Sequence, residues 1–89
     1  MRASKDFILR EIAGESLLVP TGAGAARING LITLNELGCF IFKALKTEQT
    51  PASIAALIAA EYDVTAEVAE ADALEFLQQL REIGALDEQ

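Results

Sequence analysis

The chain predicts a two-layer α+β domain, with a three-stranded antiparallel sheet in one layer and three helices in the other. Three observations carry this. Short β-prone runs punctuated by Gly and Pro fill the first third. Apolar residues at helical spacing fill the remainder. The 89 residues, 52% of them apolar, are enough for one small domain spanning residues 1–89 and for a core that needs no cross-links. The element order is β-β-β-α-α-α, which places the helices on one face of the sheet.

The first two strands are read at 7–12 (Phe-Ile-Leu-Arg-Glu-Ile) and 16–20 (Ser-Leu-Leu-Val-Pro). The connector Ala13-Gly14-Glu15 puts a Gly where a tight hairpin turn wants positive φ. The inward face of the first strand is open: Phe7 and Leu9 lie on one side, Ile8 and Ile12 on the other. Pro20 has no N–H to donate, so it closes the second strand or sits at its edge. Residues 21–26 form a small-residue loop, and 27–34 read as the third strand. Within it, Asn29-Gly30 is either a hairpin turn or a bulge, and the ordered part is expected at 30–34.

Thr33-Leu-Asn-Glu36 matches a capping box, with Thr33 as N-cap. The helix that follows carries Leu37, Phe40, Ile41, Ala44 and Leu45 on one stripe, widened by Cys39 and Phe42, so it is expected at the centre and to stop near Lys46. Thr50-Pro51 opens the second helix, with the line Ile54, Leu57, Ile58, Tyr62. Thr65 caps the third, whose stripe is Ala69, Ala73, Phe76, Leu77, Leu80 and Ile83. Gly84 ends it, Leu86 folds back on it, and residues 87–89 are expected to fray. A winged-helix-like arrangement is the compact solution for these elements.

Composition excludes several classes of function. One cysteine, Cys39, rules out an internal disulfide and a thiolate zinc site, and no histidine is available as base or ligand. Ser4, Ser16 and Ser53 therefore lack an activating base, and Cys39 reads as a small buried hydrophobe. The net charge of −7 opposes nucleic acid and anionic membranes as partners. No apolar run is long enough to span a bilayer, and the N-terminus is unlike a signal peptide. The expectation is a cytoplasmic, non-catalytic protein without a metal or cofactor. An acyl carrier protein would need an Asp-Ser pair, and no serine here follows Asp.

Four phrases carry a resemblance: Phe7-Ile-Leu-Arg-Glu-Ile-Ala-Gly14, Leu18-Val-Pro-Thr-Gly22, Asn29-Gly-Leu-Ile-Thr-Leu-Asn-Glu36 and Phe76-Leu-Gln-Gln-Leu-Arg-Glu-Ile-Gly84. Together they resemble the PqqD family, the recognition domain for ribosomally made, post-translationally modified peptides. The resemblance implies a winged-helix-like fold that binds peptide rather than DNA. It implies that the leader of a precursor peptide adds as a strand to the third strand, beside the third helix. The domain then presents the precursor to a modifying enzyme, often a radical S-adenosylmethionine maturase that holds its own iron–sulfur cluster. Members work as free proteins or fused domains, and the start at Met1 reads as a free one.

On this chain the backbone edge falls at Gly30, Leu31, Ile32, Thr33 and Leu34. On the third helix, Leu74, Gln78 and Arg81 form a second face outside the core stripe, and Leu77 borders both. Leu74 and Leu77 are expected to receive apolar leader side chains, and Arg81 to meet a leader carboxylate. Each has a plainer reading: Leu31, Ile32 and Leu34 as core strand, Leu74 as a stray surface leucine, Arg81 as a partner of the helix dipole. The acidic face Glu67, Glu70, Asp72, Glu75 reads as solvated. An open edge also invites pairing between copies, so the expectation without peptide is a homodimer or a swapped dimer. The competing function is a general protein–protein adaptor on the same fold with a partner other than a leader.

Overall fold

The computed structural model describes residues 1–22, 25 and 31–88. Its elements run β1 (Arg2–Ala3), β2 (Phe7–Ile12), β3 (Glu15–Pro20), β4 (Ile32–Leu34), α1 (Glu36–Ala44), α2 (Pro51–Glu61), α3 (Ala66–Glu82) and β5 (Leu86–Asp87). The antiparallel sheet has the order β2-β3-β4, with three helices after it, as the sequence predicts. β1 and β5 pair into a separate two-stranded ribbon that the sequence pattern did not reveal.

The β2–β3 hairpin turns on two residues, not three. Ala13 and Gly14 both have positive φ, 53° and 81°, and Ile12 pairs directly with Glu15. This is the geometry of a type I′ turn, whose twist suits the flanking strands. Gly14 adopts it freely, whereas Ala13 carries a Cβ into the left-handed region. The register sends Phe7, Leu9, Leu18, Ile32 and Leu34 to the helical side; Phe7, Leu18 and Leu34 are buried. Ile8 and Ile12 point away and are exposed, so Phe7 and Leu9 mark the inward face.

Among the described residues the third strand pairs with β3 over Ile32–Leu34, and Leu31 lies outside it. The question of a turn or bulge at Asn29-Gly30, and the loop before it, lie largely outside the described residues. The capping box at Thr33 gives way to a different cap. Asn35 is the N-cap of α1, its Oδ1 accepting from the Gly38 N–H at 2.7 Å. Thr33 is held in the β3–β4 ladder opposite Leu17, so its backbone belongs to the sheet. A side-chain amide oxygen two residues later serves the helix equally well.

α2 opens as predicted, with a reciprocal box in which Thr50 and Ser53 exchange side-chain-to-backbone hydrogen bonds. Thr65 caps α3 through the Val68 N–H. The core joins Leu18 to Ile41 and Leu45 of the α1 segment, Ile54 and Ile58 of α2, and Leu77 and Leu80 of α3. Ala69 and Ala73 are completely buried, which lets α3 approach its neighbours closely. Leu57 is exposed, contrary to the predicted α2 stripe, so Ile54 and Ile58 anchor that helix.

Residues 85–88 are docked rather than frayed, and residue 89 lies outside the described residues. Ala85 N–H reaches Leu80 O at 2.8 Å and Gly84 N–H reaches Arg81 O at 3.1 Å, the paired bonds of a Schellman ending. Ala85 is buried beneath the helix end, and Leu86, paired with Ala3, also packs against the core as expected. Ala3 N–H also donates to Leu45 O, and Ser4 N–H to Ala85 O, so both chain ends are tied to the α1 and α3 termini. Among the described residues no helix is long and apolar enough to cross a membrane.

Candidate functional site

The three-stranded sheet leaves the outer sides of β2 and β4 without a strand partner among the described residues. Hydrogen-bonded and non-hydrogen-bonded pairs alternate along antiparallel strands, and a two-residue hairpin closes on a bonded pair. Counting from Ile12–Glu15, the β3 residues Glu15, Leu17 and Val19 face β2, so Ser16 and Leu18 face β4. Their partners Leu34 and Ile32 therefore turn their backbone groups inward. Thr33, opposite Leu17, directs its N–H and C=O outward. Thr33 is thus the centre of a short open edge.

Beside that edge lies a cleft of about 210 Å³ between β4 and α3. Its β side is Leu18, Ile32, Thr33, Leu34 and Asn35, and its helical side is Phe76, Gln79, Leu80 and Ile83. A second hollow of about 300 Å³ adjoins it at the start of α1, sharing Asn35, Phe76 and Gln79 and adding Asp72 and Glu75. The Phe76 ring borders both. It rests against Gly38, where an added Cβ would stand 2.8 Å from the ring edge. Only a residue without a side chain permits this approach of ring to helix.

Of the nine residues singled out from the sequence, Ile32, Thr33 and Leu34 border the cleft. Leu31 precedes β4 and is exposed, and Gly30 lies outside the described residues. The four helical residues are not at the cleft. Leu77 is buried in the core, and Leu74, Gln78 and Arg81 are exposed on the other flank of α3. The physical reason is helical geometry. Ala69, Ala73, Leu77 and Leu80 define the buried stripe; at 3.6 residues per turn Phe76, Gln79 and Ile83 fall on one flank, and Leu74, Gln78 and Arg81 on the opposite one. Spacing locates the stripe but leaves its flanks equivalent. The signal that was available is that Phe76 and Ile83 sit at the margin of the stripe, where half-buried residues meet a neighbouring groove.

Arg81 already has a carboxylate. Its Nε donates to Glu88 Oε1 at 2.7 Å, its Nη2 to Glu88 Oε2 at 3.1 Å, and its Nη1 to Gln78 Oε1 at 2.8 Å. The bidentate pair raises the Arg81 pKa and holds the Glu88 carboxyl below its usual range. Burial raises the Tyr62 hydroxyl pKa, helped by Glu36 and Glu61, and its ring meets Phe40 edge-on with centroids 5.5 Å apart. Cys39 is buried. Among the described residues no group of three or more His, Cys, Asp or Glu is placed to hold a metal ion.

The sequence model of a family described as coenzyme PQQ synthesis protein D matches residues 7–86. The chain belongs to the PqqD family. Two solved structures are similar to this PqqD-family chain. One, described as TbiB1 in complex with the TbiA(beta) leader peptide, has a TM-score of 0.79 and 25% identity, covering 100% of this chain and 98% of that one. The other, a lasso peptide synthetase B1 complexed with the leader peptide, has a TM-score of 0.74 and 21% identity, covering 94% and 93%. No curated protein matches the chain.

Proposed function

We propose that this PqqD-family chain captures the leader of a precursor peptide by strand addition to the free edge of β4 and presents it to a modifying enzyme. The observation that carries the reading is an outward-facing Thr33 backbone directly beside an apolar cleft. A peptide that adds to such an edge exchanges main-chain hydrogen bonds with it and seats alternate side chains in adjoining pockets. That a similar solved structure is described as TbiB1 in complex with the TbiA(beta) leader peptide supports the same reading.

The side chains that meet the leader are Ile32, Phe76, Gln79, Leu80 and Ile83, in place of Leu74, Leu77, Gln78 and Arg81. The chain itself contributes binding rather than bond chemistry. The partner that receives the precursor is a radical S-adenosylmethionine maturase, and without peptide the β4 edge is where two copies pair.

The test is a titration of the ¹⁵N-labelled chain with the leader of a precursor encoded beside its gene. Amide shifts are expected at residues 31–35 and 76–83. Saturable binding that leaves those amides unmoved overturns the assignment.

A further inference from the structure

The opposite edge of the sheet carries a second groove of a different character. By the same alternation, Ile8, Arg10 and Ile12 bond inward to β3, so Leu9 and Glu11 direct their N–H and C=O groups outward along β2. A hollow of about 650 Å³ runs between this edge and the C-terminal half of α1. Its apolar walls are Phe7, Leu9, Phe42 and Leu45.

Its rim is basic. The protein has seven Lys and Arg against fourteen Asp and Glu, yet four of the seven, Arg2, Lys5, Lys43 and Lys46, border this one groove. Glu11 is its sole acidic border residue. Lys43 is paired with Glu11 at 3.2 Å and Arg2 lies 3.8 Å from Glu48. Lys5 and Lys46 make no ion pair among the described residues.

We infer that the β2 edge and its groove dock an extended, acidic segment of a partner protein as an added strand. The open backbone supplies the pairing, the apolar walls take the side chains of the added strand that face the helices, and the rim selects carboxylates at the ends of that same face. Lysines near an edge also serve to keep strands apart, but that role needs no apolar groove beneath them. A second copy of this chain is disfavoured as the occupant, because symmetric β2–β2 pairing sets one basic rim against another. The surface is distinct from the β4 cleft and stands whether or not β4 binds a leader.

The test uses the full ¹⁵N-labelled chain and a capped heptapeptide, Glu-Thr-Val-Thr-Val-Thr-Glu, whose Glu and Val side chains share one face when extended, alongside the same peptide with Lys for Glu. The Glu peptide is expected to shift the Leu9 and Glu11 amides while leaving residues 32–34 in place. Affinity should fall at least fivefold from 50 to 500 mM salt, and at least tenfold in Lys5→Glu/Lys46→Glu. Because both substituted side chains are exposed, circular dichroism of the variant is expected to be unchanged. Should the double substitution unfold the chain, Lys5→Gln/Lys46→Gln replaces it, with at least a threefold loss expected. Four results overturn the inference: equal binding of the Lys peptide, shifts confined to β4, tighter binding of a short DNA duplex or of anionic vesicles, or self-association through β2 measured by light scattering.

Discussion

Gly38→Ala separates the shape of the β4 cleft from the stability of the fold. The new Cβ would lie 2.8 Å from Phe76 Cε1, 3.2 Å from Cζ and 3.1 Å from Asn35 Oδ1. Carbon pairs rest at about 3.5–4.0 Å, so the ring must withdraw by roughly 1 Å. Phe76 is only half-buried and borders two hollows, so it can move into them. A core that could not yield would lose about 1–3 kcal/mol to overpacking. Here the yielding ring and a helical gain of up to about 1 kcal/mol for Gly→Ala leave stability within about 1 kcal/mol of the parent. The cleft, however, changes. Leader affinity is expected to fall about tenfold, or about 1.4 kcal/mol. In a Phe76→Leu background the clash disappears, so Gly38→Ala should add little further loss. Urea unfolding gives the stability arm and calorimetric titration the affinity arm of this cycle. Native leader affinity in a folded Gly38→Ala variant, or equal losses in both backgrounds, would refute the role given to the ring.

Three other outcomes are expected. Ala13→Asn should stabilise the fold by about 0.5–1 kcal/mol, because Asn tolerates the left-handed conformation at φ 53° better than Ala does; an unchanged or lower urea midpoint counts against the turn assignment. Ile58→Ala, at a fully buried site, should cost about 2–5 kcal/mol, whereas Leu57→Ala on the exposed side of the same helix should stay within about 0.5 kcal/mol. The Glu88 carboxyl is held below its usual value by Arg81, so its folded-state pKa lies under the unfolded one. Its contribution is present above the unfolded carboxylate range near pH 4–5 and is lost as pH falls through the folded value. Glu88→Gln should therefore flatten part of the acid limb of a stability–pH curve, and an unaltered limb contradicts the pairing.

The fold was legible wherever one residue type forces one backbone state. Thr50-Pro51, Thr65 and Gly84 marked helix ends because capping and positive φ are local matters. The cap of α1 lies two residues beyond the one predicted because Thr33 and Asn35 are both good caps, and β3, sixteen residues away at Leu17, decides between them. The β1–β5 ribbon was invisible for the same reason: two dipeptides from opposite chain ends carry no periodicity of their own. At the candidate site, the strand side was readable from an apolar run ahead of a helix cap. The helical side was not, because a stripe such as Ala69, Ala73, Leu77 and Leu80 says which residues are inside but not which flank meets the sheet.

In the proposed complex, the described pairing of β4 over Ile32–Leu34 says where leader affinity comes from. Over Ile32–Leu34, only Thr33 offers both an outward N–H and an outward C=O. Two main-chain hydrogen bonds at about 0.5–1.5 kcal/mol each supply about 1–3 kcal/mol. A micromolar complex needs about 8 kcal/mol. In the proposed complex most of the remainder is apolar burial against Ile32, Phe76, Leu80 and Ile83, which line the cleft. In that proposed complex the edge therefore sets register and direction, and the cleft sets affinity and choice of peptide. N-methylating the leader residue that faces Thr33 should weaken binding by no more than about tenfold. Truncating the leader's apolar anchor to Ala should weaken it by about a hundredfold, as deletion of a buried large side chain does. Fluorescence anisotropy with the two modified peptides ranks these losses. The reverse order would mean that backbone pairing extends well beyond Thr33 and that the cleft is incidental.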